Sequence, residues 1–170
     1  MTTQTRPALL FVLPWELHHV GGVNQVVINL LYQTERRGGH HPLLMINSWE
    51  DKKIEEREVR GRSAFYFRLR SLEEGSTRLK DYAAFLLTLP FALLTLRRLI
   101  EDRDIRVVNL HYPELAALPF ALLKRLGLFR GKLILSFHGM DFQDARKATG
   151  LKKILWRLLL KSSDAIVACS

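Results

Sequence analysis

Three short stretches carry residues whose types and spacing can do chemistry. The first is Ser136-Phe137-His138-Gly139-Met140-Asp141. An imidazole titrates near pH ~6.5, so His138 is able to hydrogen-bond a hydroxyl or take part in proton transfer close to neutrality. Placed after a strand pattern and before a glycine, its ring is expected at the carboxyl edge of a sheet. A histidine in such a turn can also simply bond local backbone. Asp141 either caps the segment that follows or binds a ligand hydroxyl, and Gly139 between them is a candidate for the same ligand. The second stretch is His111-Tyr112-Pro113-Glu114. Here His111 stands at a strand end and is a candidate ligand residue, while Pro113 and Glu114 equally read as a helix start.

The third stretch is Gly21-Gly22-Val23, set between the apolar run Ala8 to Leu13 and a helical pattern of Val23, Val26, Val27, Leu30 and Leu31. Glycines permit close backbone approach, and the free N–H groups at a helix start favour a phosphate or carboxylate. A tight connection without a ligand accounts for a glycine pair as well. His18 and His19 lie in the loop just before. The six histidines show no metal-ligand spacing with a supporting carboxylate, so no bound metal is expected.

Strand-like and helix-like patterns alternate around these stretches, the signature of a parallel sheet flanked by helices. Strands are expected at Ala8 to Leu13, Pro42 to Asn47, Ala64 to Leu69, Val107 to Leu110, Lys132 to Phe137 and Asp164 to Ala168. Helices are expected from Val23 to Arg37, Leu79 to Arg103, Glu114 to Leu126 and Thr149 to Lys161. Glu50 to Arg62, charged and poor in apolar residues, reads as a solvated loop. The fold class is therefore α/β, a Rossmann-like doubly wound parallel sheet of about six strands, with ligands at the strands' carboxyl ends.

Two helices raise the question of a membrane. The apolar stretch Tyr82 to Leu96 contains Pro90 and falls short of the roughly 20 residues a span needs, so a packed or surface helix is expected, kinked or divided at the proline. In Thr149 to Lys161 the spacing puts Lys153, Arg157 and Lys161 on one face, beside Trp156 and an apolar face of Leu151, Ile154, Leu155, Leu158 and Leu159. That helix reads either as a solvated outer face or as an anionic-membrane contact.

Bulk composition narrows the classes. Of 170 residues, 48% are hydrophobic and 25% charged, which excludes a disordered chain. The single cysteine, Cys169, rules out an internal disulfide and a cysteine-based metal site, and fits a reducing cytosol. The N-terminus lacks the basic and apolar regions of a secretory signal. Lys and Arg outnumber Asp and Glu 26 to 17, and most of the excess lies after residue 96, so an anionic partner is expected: a nucleotide substrate, an acidic membrane or nucleic acid. No zinc-finger, basic-zipper or RNA-binding signature occurs, which leaves nucleic acid the least supported.

With these motifs placed in order, the chain resembles the N-terminal half of GT-B glycosyltransferases of the retaining group called family four. Gly21-Gly22-Val23 is followed by Arg37-Gly38-Gly39-His40-His41-Pro42, similar to that group's Arg-Gly-His step into the second strand. Asp104-Ile105-Arg106-Val107-Val108-Asn109-Leu110-His111 resembles its Asp-to-His strand, with Asn109 where a first histidine often stands. Ser136 to Asp141 resembles its His-Gly turn, and Ser163 to Ser170 the strand leading out of the first domain. Asn24 occupies a place often held by an acidic residue.

The resemblance implies an acceptor-side domain over residues 1–170. The C-terminal donor-binding domain, which in that family holds most nucleotide-sugar contacts, lies outside this chain. It further implies transfer of a sugar, a hexosyl group by type, from a nucleotide-diphosphate donor to a glycan or lipid-linked acceptor with retention. His138 would face the transferred sugar as the catalytic residue. Gly21, Gly22, Val23, His111, Gly139 and Asp141 would bind substrate. No cofactor beyond the donor is implied, and the setting would be polysaccharide biosynthesis in the cytoplasm, at the inner face of a membrane. The domain alone would be inactive. A non-catalytic Rossmann-like scaffold is the rival reading. A nicotinamide oxidoreductase is disfavoured, because after Gly22 the next glycine is Gly38 and no acidic residue ends the second strand.

Overall fold

The computed structural model describes residues 6–17, 21–72 and 79–168. His18, His19 and Cys169 lie outside the described residues. Seven strands form one sheet in the order β3-β4-β2-β1-β5-β6-β7. Six of them run parallel: β1 (Ala8–Leu13), β2 (His41–Asn47), β4 (Arg62–Phe67), β5 (Ile105–His111), β6 (Lys132–Phe137) and β7 (Ala165–Ala168). The expected Rossmann-like sheet is present.

Period-two alternation shows why β1 is a continuous apolar run. Leu10 and Val12 enter a core shared with α2 (Leu79–Asp102), α3 (Leu118–Arg125) and α5 (Gly150–Ser162), while Phe11 and Leu13 enter a second core on the opposite face with Val27 and Leu31 of α1 (Gly22–Arg37). Both faces are covered, so every position must be apolar. Helix α1 ends at Gly38 after Arg36 and Arg37, as its cations and glycine lead one to expect.

The charged segment read as a solvated loop is instead a hairpin. β3 (Glu55–Val59) pairs antiparallel with β4, Val59 opposite Arg62. Only Arg60 (φ 53) and Gly61 (φ 72) remain in the loop, the left-handed pair that a type I′ turn requires. An edge strand needs one partner and no buried face, and charged side chains protect it from pairing further, so low hydrophobicity hid it. An ion pair from Arg103 to Glu56 (2.6 Å) fastens it to the end of α2.

Three other helical features add detail to the expected pattern. The segment after Pro113 begins as a single 3-10 turn, Leu115–Ala117, before α3. A short helix, α4 (Met140–Lys147), follows the His-Gly turn. Helix α2 is not divided at Pro90; it runs as one element, with Thr88 donating its hydroxyl to the Ala84 carbonyl (2.8 Å) just before the proline. By length and composition α2 is long and apolar enough to cross a membrane, yet Phe85, Ala92, Leu96, Leu99 and Ile100 are buried in the domain.

Candidate functional site

The strand order reverses between β1 and β5, since α1 carries the chain from β1 to β2 on one side while α3 and α5 lead outward through β6 and β7 on the other. Such a switch point leaves a crevice at the carboxyl ends of the strands. Three of the stretches singled out by sequence converge there: the glycine pair after β1, His111 closing β5 and His138 following β6.

His111 and His138 meet across 27 residues of chain, Nδ1 of the first lying 3.1 Å from Nε2 of the second. His111 is only 2% exposed and lies behind His138, its ring in contact with the outer histidine. Burial, then the neighbouring His138, push its pKa down to about 3, so it stays a neutral ring. Among the described residues its buried Nε2 has no hydrogen-bond partner, and the Phe11 ring lies 5.9 Å away. His138 is half-buried. Burial lowers its pKa while the Asp141 charge opposes the shift, and the net is downward.

Asp141 engages the local backbone, one of the two roles its place in the sequence allows. At 1% exposure its carboxylate faces inward, accepting hydrogen bonds from the backbone N–H groups of His138 (3.0 Å), Gly139 (2.8 Å) and Phe142 (3.0 Å). It clamps the turn mainly through Oδ1, and the same residue lines the cleft that opens beside it. Gly139 likewise spends its N–H on that clamp. Its φ of 126° lies where L side chains are strained, so glycine is needed here for the path of the chain. Together these contacts aim His138 from its backbone and from its ring.

At the glycine pair the logic reverses. Gly21 is extended, and a Cβ built on Gly21 or Gly22 would meet nothing within 4 Å. Neither dihedral strain nor crowding inside the domain accounts for these glycines. The first hydrogen bond of α1 runs from Gln25 N–H to the Gly21 carbonyl, no side chain among the described residues caps the helix start, and Val23 packs on the α1 core.

The sequence motifs mark Asn24 and Asn109 but not what these side chains hold. Asn24 is buried; its Oδ1 accepts from Trp15 Nε1 (2.9 Å) and its Nδ2 donates to the Leu17 carbonyl (3.4 Å). Trp15 in turn packs edge-on against Tyr112, ring centroids 4.8 Å apart, and Tyr112 has a positive φ of 51°. A tryptophan two residues past a buried strand was the available signal. Asn109 accepts from the Ser136 hydroxyl (2.8 Å), tying β5 to β6 beneath the histidines.

Beside the clamp opens a cleft of about 430 Å³ whose lining includes Tyr112, Glu114, Asp144, Lys147 and Lys152. Burial, followed by the charges of Asp141, Asp144 and Glu114, raises the Tyr112 pKa, so its hydroxyl remains protonated. Carboxylates, ammonium groups and a phenol in one cleft suit a ligand rich in hydroxyls. Among the described residues no group of three or more His, Cys, Asp or Glu could hold a metal ion.

The sequence model described as Glycosyltransferase Family 4 matches residues 20–170. The chain belongs to glycosyltransferase family 4. Among solved structures it is similar to an alpha,alpha-trehalose-phosphate synthase (UDP-forming) from Burkholderia vietnamiensis, at TM-score 0.57 and 16% identity. That match covers 94% of this chain and 39% of the other, so the family 4 domain spans well under half the length of that relative and shares its fold. A search of curated proteins returned no match.

Helix α5 completes the placement of the sequence candidates. Trp156 is 6% exposed and stacks near Phe137 at 6.3 Å, so it belongs to the core and cannot anchor a membrane. Leu155, Leu158 and Leu159 also pack inward, leaving Lys153, Arg157 and Lys161 outside with Leu151 and Ile154.

Proposed function

We propose that this chain is the acceptor-side half of a retaining glycosyltransferase that moves a hexosyl group from a nucleotide-diphosphate sugar to a glycan or lipid-linked acceptor. The observation that carries the reading is His138, held at the switch-point crevice by the buried Asp141 clamp and by contact with the neutral His111. A ring fixed on two sides needs no reorganisation when a hydroxyl of the transferred sugar arrives, which is the condition for an efficient polar contact in a transition state. The N–H groups of Gly22 and Val23, in the first turn of α1, offer an anionic or polar group a seat. Glu114, Asp144 and Tyr112 would take acceptor hydroxyls in the adjoining cleft.

Donor binding falls to a C-terminal domain beyond this chain, and rate depends on fixing donor against acceptor. The domain alone is then inactive. No cofactor besides the donor is part of the reading, and the lone Cys169 suits work in the cytoplasm, in a pathway building polysaccharide.

The test is transfer by the full-length enzyme. His138→Ala should lower kcat by on the order of 100-fold or more with the fold intact. Undiminished transfer would assign the chain to a non-catalytic scaffold, and full activity from residues 1–170 alone would remove the two-domain requirement.

A further inference from the structure

The outer stripe of α2 is apolar for three turns. Ala83, Leu86, Leu87, Pro90, Phe91 and Leu94 are all exposed, Leu87 at 81%, and the exposed cations Lys80 and Arg98 bracket them. Leu87 and Phe91 also line a groove of about 320 Å³ that Lys52, Lys53, Arg68 and Arg70 share. Among the described residues, no carboxylate lines that groove. Asp51, next in sequence to Lys52, is buried and ion-paired to Arg57. Among the described residues the buried Arg70 Nε has no hydrogen-bond partner, and Arg68 donates to the carbonyl of Trp49, whose own side chain is exposed.

A soluble surface has no reason to align large apolar side chains along a helix and gather four cations at their flank. A membrane supplies both halves of the match: acyl chains for the stripe, anionic headgroups for the cations, and an interface that favours an exposed Trp49. We infer that this face docks on an anionic phospholipid surface, α2 lying along the bilayer with Leu86, Leu87, Phe91 and Leu94 in the acyl boundary and Lys52, Lys53, Arg68 and Arg70 on the phosphates. Helix α5 lacks the match, because its tryptophan and most of its leucines are spent on the core.

The groove's cations follow the carboxyl ends of β2 and β4, the sheet edge that also bears His138. Taken with the proposed function, this presents the catalytic edge to acceptors carried on lipid. Docking itself does not rest on that reading.

The test is flotation of the full chain with vesicles of phosphatidylcholine alone or mixed with phosphatidylglycerol. The chain should float with the mixed vesicles only, and high salt should release it. K52E with K53E should weaken binding by on the order of tenfold or more, and L87E with F91E should abolish it. K153E with R157E should leave it unchanged. Unaltered melting temperatures keep these variants interpretable, and sugar transfer to a water-soluble acceptor, which none of them should affect, reports separately on the proposed function. The inference is overturned by equal binding to neutral vesicles, by retention under high salt, by loss of binding only in the α5 variant, or by L87E with F91E dissociating an oligomer while vesicle binding persists.

Discussion

Nδ1 of His111 lies 3.1 Å from Nε2 of His138, joining the buried end of β5 to the turn that leaves β6. One ring has no access to solvent and the other has some, so the pair works as an inner support and an outer contact. One nitrogen of each ring is committed to this contact, so the tautomer of one ring fixes that of the other.

This support carries a pH signature. With a folded pKa of about 3 against an ordinary 6.5, His111 takes up a proton in the unfolded chain well before it does in the folded one. Stability is therefore lost as pH falls below about 6.5, with a slope of roughly 1.4 kcal/mol per pH unit from this residue until the folded pKa is reached. Urea denaturation at stepwise pH should show it, and His111→Phe should flatten the curve by about one proton while lowering kcat for transfer on the order of tenfold.

Asp141→Ala should be costly. It strips the turn of the acceptor for three backbone N–H groups, an expected loss of about 2–4 kcal/mol of stability. Asp141→Asn keeps one acceptor oxygen and should recover part of the stability and part of the transfer rate. Thermal melts paired with kinetics would check both; an Ala variant as stable as the parent would deny the clamp.

Gly22→Ala separates binding from folding. The added methyl meets nothing within 4 Å, and alanine is a better helix former, so stability should be unchanged or raised by up to about 1 kcal/mol. If a substrate group seats on these N–H groups, KM should rise several-fold. A wild-type KM in this variant would reduce the glycine pair to a connection.

Asp164 joins three elements by accepting from Lys124 (2.7 Å), Lys132 (3.3 Å) and the Leu133 N–H (2.8 Å). Burial raises its pKa, but these hydrogen bonds outweigh it and bring the carboxyl down to about 2. The stability so gained is present above the ordinary 3.8 and lost as pH falls towards 2. With the side chain partly solvated, Asp164→Asn should cost on the order of 1–2 kcal/mol at neutral pH and little at pH about 2, measurable by chemical denaturation.

Much of this protein was legible one residue at a time. The short run Leu9 to Leu13 reads as a strand buried on both faces, and Arg36-Arg37-Gly38 reads as a helix end, because dihedral freedom and local polarity act within a turn. The order of the glycine pair, His111 and His138 likewise placed a crevice at the sheet's carboxyl edge. Periodicity says which face of an element is apolar, but not what covers it. Tertiary structure decided that Trp156 faces the core while Leu87 faces out, that charged Glu55–Val59 finds a partner in β4, and that Asp141 turns inward to backbone N–H groups. It also decided that His111 supports His138 from behind, since two side chains 27 residues apart are brought together by strand register and by nothing in either one's own neighbourhood.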